Sequence, residues 1–248
     1  MDQDSPSFLD GGQETAAAPG DRLAAMTSLV AALAAFFGSH LVPALPALRR
    51  RLVAGLGWRG YLVAYSALSL GVLAWVGHAY LAAPYVEVWP YAPRLRWVPL
   101  LVMPAACVLL VAGLVRPNPL SISLWPGSGG AGPSGGLFGV IRHPVPWAFA
   151  LWAVAHGVPN GDGASLVLFG AMAVLAVGGM HGLDAKRRRL LGAERWRIAA
   201  RRQTRVDARD LAGVGGGLLL YAVLALLHEP VLGLAPWPPA VLDLMVGG

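Results

Sequence analysis

The chain has 248 residues, of which 56% are hydrophobic and only 13% charged, with a mean hydropathy of +0.58. A soluble domain usually carries about 25% charged residues, so these proportions exclude an ordinary soluble enzyme. The net charge of +6 would suit nucleic acid, but the Lys and Arg residues fall in clusters between apolar blocks, as loop charges of a membrane protein do. No nucleic-acid partner is expected. The expected fold class is all-α, a multi-pass transmembrane helical bundle whose partner is the lipid bilayer, each span needing roughly 20 apolar residues.

Residues 1–21 hold Asp2, Asp4, Asp10, Glu14 and Asp21 among Gly, Ser, Pro and Ala. A signal peptide would start basic and turn apolar early. This segment reads as a disordered acidic tail, with the first span acting as an uncleaved membrane signal.

Residues 22–230 read as one membrane domain with six apolar blocks. The first runs from about Leu23 to Leu48 and ends at Arg49-Arg50-Arg51. The second covers Tyr61 to Ala82 and the third Val98 to Val115, before Arg116. The fourth, Pro144 to about Pro159, is short for a crossing. The fifth is Ala164 to Leu183 and the sixth about Leu211 to Leu227. Residues 231–248 form a Pro-rich tail suited to the interface, where Trp237 would sit well. Pro43, Pro46 and Pro104 predict kinks. Gly213 and Gly217 have the spacing that lets helices pack closely. Cys107, the single cysteine, is expected to be a small packing residue.

Charge orients the chain. Arg49, Arg50, Arg51 and Arg59 follow the first block, and Arg116 and Arg142 flank the Gly-rich loop 117–136. Lys186, Arg187, Arg188, Arg189 and six further arginines fill the basic loop 184–209. With six spans all these loops fall on one side, which the positive-inside rule makes cytoplasmic. Both termini are then outside. The Gly-rich loop lacks the Gly-Lys-Ser/Thr ending of a phosphate loop and reads as a linker.

All six histidines lie in or beside apolar blocks, where ionisable residues are costly and mark candidate sites. Neutral imidazole is a good ligand for iron and zinc. His40 has Phe36 one turn away, and His156 shares a helix face with Trp152. Each is a candidate metal ligand, against the alternative of a histidine bonded to a nearby carbonyl. Arg142-His143-Pro144 opens the fourth block. Pro144 suits a first helical turn, His143 is a candidate site residue, and Arg142 suits a cofactor or a lipid phosphate. His181 is read as complementing a helix end, and His78 and His228 as interfacial. No Ser-His-Asp set is legible, and Asp184 is expected to pair with Arg187 or Arg188 at helical spacing.

Taken in order, Ser39-His40 with Leu48-Arg49, Arg116 with Asn118-Pro119, Arg142-His143-Pro144, Trp152 with His156 and Asn160-Gly161-Asp162, and Asp184 with Arg187-Arg188, Leu190, Gly192 and Trp196 form a pattern. That pattern resembles the NnrU family over roughly residues 25–230. The resemblance implies a multi-pass bacterial inner-membrane protein linked to nitrite and nitric oxide metabolism in denitrification, with redox or nitrogen-oxide respiratory proteins as partners. The plant 15-cis-zeta-carotene isomerase is similar to this family and binds haem b. Its ligating histidines match the positions of His40 and His156, so the resemblance implies haem b held by these two; Arg142 and His143 are further candidate cofactor-binding residues. The isomerase has a cysteine where this chain has Ala153, which removes a thiolate ligand.

Two other readings stay open. A remoter similarity is to membrane methyltransferases of the isoprenylcysteine and phospholipid type, in which Arg142, His143 and the segment around Glu194 would hold S-adenosylmethionine. This chain lacks their paired glutamates and has Trp196 in place of a tyrosine. A membrane enzyme, either an isomerase of a long polyene or a lipid methyltransferase, is therefore one alternative. A cofactor-free scaffold whose histidines bond between helices is the other.

Overall fold

The computed structural model describes residues 18–41, 45–118, 120–124, 140–200, 207–238 and 241. Most of the acidic tail, Pro43, much of the Gly-rich loop, part of the basic loop and the end of the C-terminal tail lie outside the described residues. The described elements are seven α-helices and one 3-10 turn: α1 (Pro19–Leu41), α2 (Pro46–Ala82), the turn Pro93–Arg96, α3 (Trp97–Val115), α4 (Pro144–Gly157), α5 (Gly163–Leu191), α6 (Ala193–Ala199) and α7 (Ala208–Leu232). The protein is an all-α membrane protein. Helices α1, α2, α5 and α7, and α3 together with the turn before it, are long and apolar enough to cross a membrane.

The chain divides into two compact units, Met1–Pro84 and Tyr85–Gly248. In the first, α1 and α2 form a helical hairpin, with the Trp75 indole N–H donating to Ser28 Oγ at 3.4 Å. The expected loop carrying Arg49, Arg50 and Arg51 is instead the start of α2. Arg, Leu and Ala are strong helix formers, and Pro46 sits at the first turn, where its missing N–H is no loss. Gly57, at φ 69° and ψ 167°, then breaks the helical path. Only glycine takes up such a conformation without strain. Arg49 folds over this break, its guanidinium carbon 5.4 Å from the Trp58 ring.

In the second unit α3 lies between α4 and α7, and α5 packs on the far side of α4. Helix α7 runs antiparallel to α3. Gly213 faces Ala112, Gly217 faces Val108, and the Tyr221 hydroxyl donates to the Leu100 carbonyl at 3.3 Å. A methyl group on Gly213 would stand 2.8 Å from the Ala112 side chain, and one on Gly217 would overlap the Val108 backbone. The Gly213 and Gly217 spacing therefore does set a close helix contact.

The start of α7 is tied to the end of α3 by charge. Arg116 forks onto Asp207, Nη1 to Oδ1 at 2.8 Å and Nη2 to Oδ2 at 3.1 Å, and Nη1 also meets Asp210 Oδ1 at 2.8 Å. The hydrogen bond from Arg116 holds the Asp207 carboxyl below the usual range. Asp207 and Asp210 also form a reciprocal capping box, which satisfies orphan N–H groups of the first turn.

Helix α4 has 14 residues, about 21 Å at 1.5 Å per residue. It nevertheless connects the same two ends of the unit as α3. At one end the Asn118 amide donates to the Arg142 carbonyl at 3.1 Å. At the other, Val88 N–H donates to Gly161 O at 2.7 Å and Gly163 N–H to Val86 O at 2.8 Å, with Glu87 and Asp162 bridged antiparallel. The coil after α4 completes the traverse. Asp162 then caps α5, its carboxylate accepting from Ser165 N–H at 3.0 Å.

Candidate functional site

His143 is the residue before the first turn of α4, with Pro144 just inside, so the Arg-His-Pro motif is partly a helix start. Asn118 aims it. Its amide holds the Arg142 carbonyl, and its Oδ1 accepts from Leu120 N–H at 3.0 Å and Ser121 N–H at 3.1 Å, an Asx turn that fixes the incoming chain.

Across from this start stands α5. Asp184 Oδ2 accepts from Arg142 Nη1 at 2.6 Å, and its Oδ1 accepts from His143 Nε2–H at 3.1 Å. The expected pairing of Asp184 with Arg187 or Arg188 is corrected here. Its carboxylate faces α4, where a guanidinium and an imidazole lie side by side, and that outweighs an exposed pair along one helix. His181, expected at a helix end, is exposed on α5, which continues through Lys186–Arg189 to Leu191. Gly192, at φ 77°, ends α5 and starts α6, and α6 brings Trp196 beneath the site. The guanidinium carbons of Arg142 and Arg188 lie 5.0 Å and 5.6 Å from the Trp196 ring centroid.

The electrostatics of His143 follow from this arrangement. Its side chain is only 5% exposed. Burial pushes its pKa below the ordinary histidine value, Asp184 pulls it back up, and Arg142 and His181 add to the lowering. With Nε2 donating to a carboxylate, Nδ1 carries the lone pair. That atom is buried and has no hydrogen-bond partner among the described residues. A neutral imidazole held in one tautomer by a carboxylate, with its second nitrogen open, can accept a proton or a ligand.

His156 stands near the other end of α4, thirteen residues from His143 and so roughly 20 Å along the helix. The structure therefore separates Arg142 and His143 from His156. His156 Nδ1–H donates to the Trp152 carbonyl at 2.9 Å, and Asn160 Nδ2 donates to the His156 carbonyl at 2.7 Å. Its ring is 5.7 Å from those of both Trp152 and Phe169. Phe169 also walls a cavity of about 400 Å³, with Trp89, Leu95, Val154, Val158 and Ala173. The Trp89 indole N–H reaches the Val158 carbonyl at 3.2 Å. In the first unit His40 repeats the same local pattern. Its Nδ1–H donates to the Phe36 carbonyl at 2.8 Å, and the two rings are 4.2 Å apart. In both histidines Nδ1 is committed as a donor, which leaves Nε2 as the lone-pair nitrogen. Such an outer hydrogen bond orients a metal-binding imidazole. Among the described residues no group of three or more His, Cys, Asp or Glu side chains comes together to hold a metal ion.

The sequence reading named three residues of these sites without finding their roles: Asp184 as a partner of α4, Asn118 as the clamp on Arg142, and Trp196 as a platform. The signal for Asp184 was present, since the chain order places the start of α4 and the end of α5 at one end of a helical hairpin.

Residues 28–236 match the family described as NnrU protein. No curated protein and no solved structure is a significant match. The family match spans most of the described helices and includes Asn118, Arg142, His143, His156, Asp184 and Trp196; the chain belongs to the NnrU family.

Proposed function

We propose that this NnrU-family membrane protein is a haem b protein of the bacterial inner membrane, serving nitrite and nitric oxide metabolism, in which His156 and His40 would each offer an imidazole to haem iron. The observation that carries this reading is the shared donor geometry. Each histidine spends Nδ1–H on the carbonyl four residues earlier and keeps Nε2 for a metal. The chemistry of the donor set fits haem iron, which takes neutral imidazole. Trp152 and Phe169 around His156 offer the apolar contacts a macrocycle needs. Haem would supply one-electron transfer and a binding position for small nitrogen oxides. Within this reading the backbone hydrogen bonds orient both imidazoles, and Trp152 and Phe169 shield His156. The test is the absorption spectrum of the full chain purified from haem-replete membranes. A low-spin Soret band with resolved alpha and beta bands is expected, lost in His156→Ala and in His40→Ala. A colourless protein from such membranes refutes the reading.

A second reading, a membrane enzyme on a lipid or polyene, is favoured by the buried, unpartnered Nδ1 of His143 held opposite Asp184. Calorimetry with S-adenosylmethionine tests its methyltransferase branch, and absence of binding heat removes that branch.

A further inference from the structure

An indole Nε1–H and a guanidinium Nε–H can only donate hydrogen bonds. Trp196 Nε1 and Arg187 Nε are both buried, and neither has a hydrogen-bond partner among the described residues. A buried donor left unpaired is destabilising, so both are open to an acceptor that the described residues do not supply. The Trp196 ring has positive charge beside it. Arg142 and Arg188 both lie against the Trp196 ring. The carboxylates close by are already engaged, Asp184 by Arg142 and His143, and Glu194 by Arg197 at 3.1 Å. Among the described residues Arg187 and Arg188 thus have no carboxylate of their own. A solvated basic face accounts for exposed Lys186 and Arg189, but not for donors withdrawn from water.

We propose that the corner between α5 and α6, where Arg142 and Arg188 flank Trp196 and Arg187 precedes Arg188 on α5, binds a phosphate group. Phosphate matches this set because it brings charge together with several acceptor oxygens, which guanidinium groups engage through paired N–H donors. The corner lies where α5 passes from its apolar stretch, ending near buried Met180, into the basic run. That is the depth of lipid headgroups. The phosphate comes either from an anionic phospholipid headgroup or from a soluble phosphate compound. The proposal does not depend on the haem reading.

The test uses the full chain in mild detergent at low salt. It is titrated separately with short-chain phosphatidylglycerol, with inorganic phosphate, and with short-chain diacylglycerol as a phosphate-free control. Saturable binding of phosphatidylglycerol alone assigns the site to a headgroup. Binding of inorganic phosphate as well assigns it to soluble phosphates. Trp196→Phe keeps an aromatic ring and removes the donor, and is expected to weaken binding about tenfold, the scale of one hydrogen bond to a charged group. If that variant does not fold, Arg188→Gln, an exposed change, carries the same expectation. No saturable binding of either phosphate probe overturns the proposal. So does equal binding of diacylglycerol, or an affinity unchanged in a folded Trp196→Phe.

Discussion

Replacing Asp210 by Ala tests how the α3–α7 contact is held. Asp210 is 1% exposed, and the Arg116 side chain that it meets at 2.8 Å is 15% exposed. Removing one partner of a fully buried pair costs about 3–5 kcal/mol, because a charge is left uncompensated. Here Arg116 keeps Asp207, so the electrostatic loss falls to about 2 kcal/mol. The substitution also removes the acceptor of the Asp207 N–H, 2.9 Å away, and losing half of a capping box adds about 1 kcal/mol. The expected total is about 3 kcal/mol. The assay is reversible unfolding in mixed micelles, followed by tryptophan fluorescence. Adding Arg116→Met to the Asp210→Ala background should cost less than it does alone, since it removes the stranded charge. Two strictly additive single effects, or a loss below about 1 kcal/mol in Asp210→Ala, would refute the reasoning.

Gly217→Val should push α7 off α3, because even a methyl group overlaps the Val108 backbone. A loss of about 1–3 kcal/mol in the same unfolding assay is expected, with Gly215→Ala, which meets open space, as the neutral control. Asp184→Leu should strand Arg142 and His143 together, whereas Asp184→Asn retains an acceptor. The Leu variant is expected to lose about 2 kcal/mol and the Asn variant about half as much, read by thermal unfolding. The pH prediction concerns His143, whose pKa is lowered in the folded protein. Below the unfolded value of about 6.5 the unfolded chain binds the proton first. The contribution to stability is therefore complete above that pH and is lost as pH falls through the lower, folded value. The difference in stability between the wild type and His143→Gln should shrink on acidification from pH 7.5 to pH 5.5. A constant difference would contradict the assignment.

The apolar blocks made the helices legible, because burial in a membrane leaves a simple compositional signature. Their ends were less legible, for one physical reason. Hydropathy stops at charged residues, but a helix does not. Arg49, Arg50 and Arg51 lie inside α2, and Lys186 to Arg189 lie inside α5, because these residues favour helix once the backbone is already turning. What stops α5 is the left-handed backbone of Gly192, a change of conformation and not of polarity. At the candidate sites, the sequence supplied the histidines and the Arg-His-Pro start. The local hydrogen bonds of His40 and His156 follow from residues four positions back. The Asp184 pairing was hidden because its partners lie 41 and 42 positions away, and only the α4–α5 hairpin brings them together.

The shortness of α4 bears on the membrane itself. Its length of about 21 Å compares with hydrocarbon about 30 Å thick. Trp147, Phe149 and Val154 of α4 are exposed, an apolar flank that lipid tails would cover. Hydrophobic mismatch on that flank would be relieved by local thinning of the bilayer, at a cost of a fraction of a kcal/mol per Å. A dent of this kind brings headgroups and water nearer to both ends of one short helix. The chain should therefore accumulate in thinner regions of its membrane.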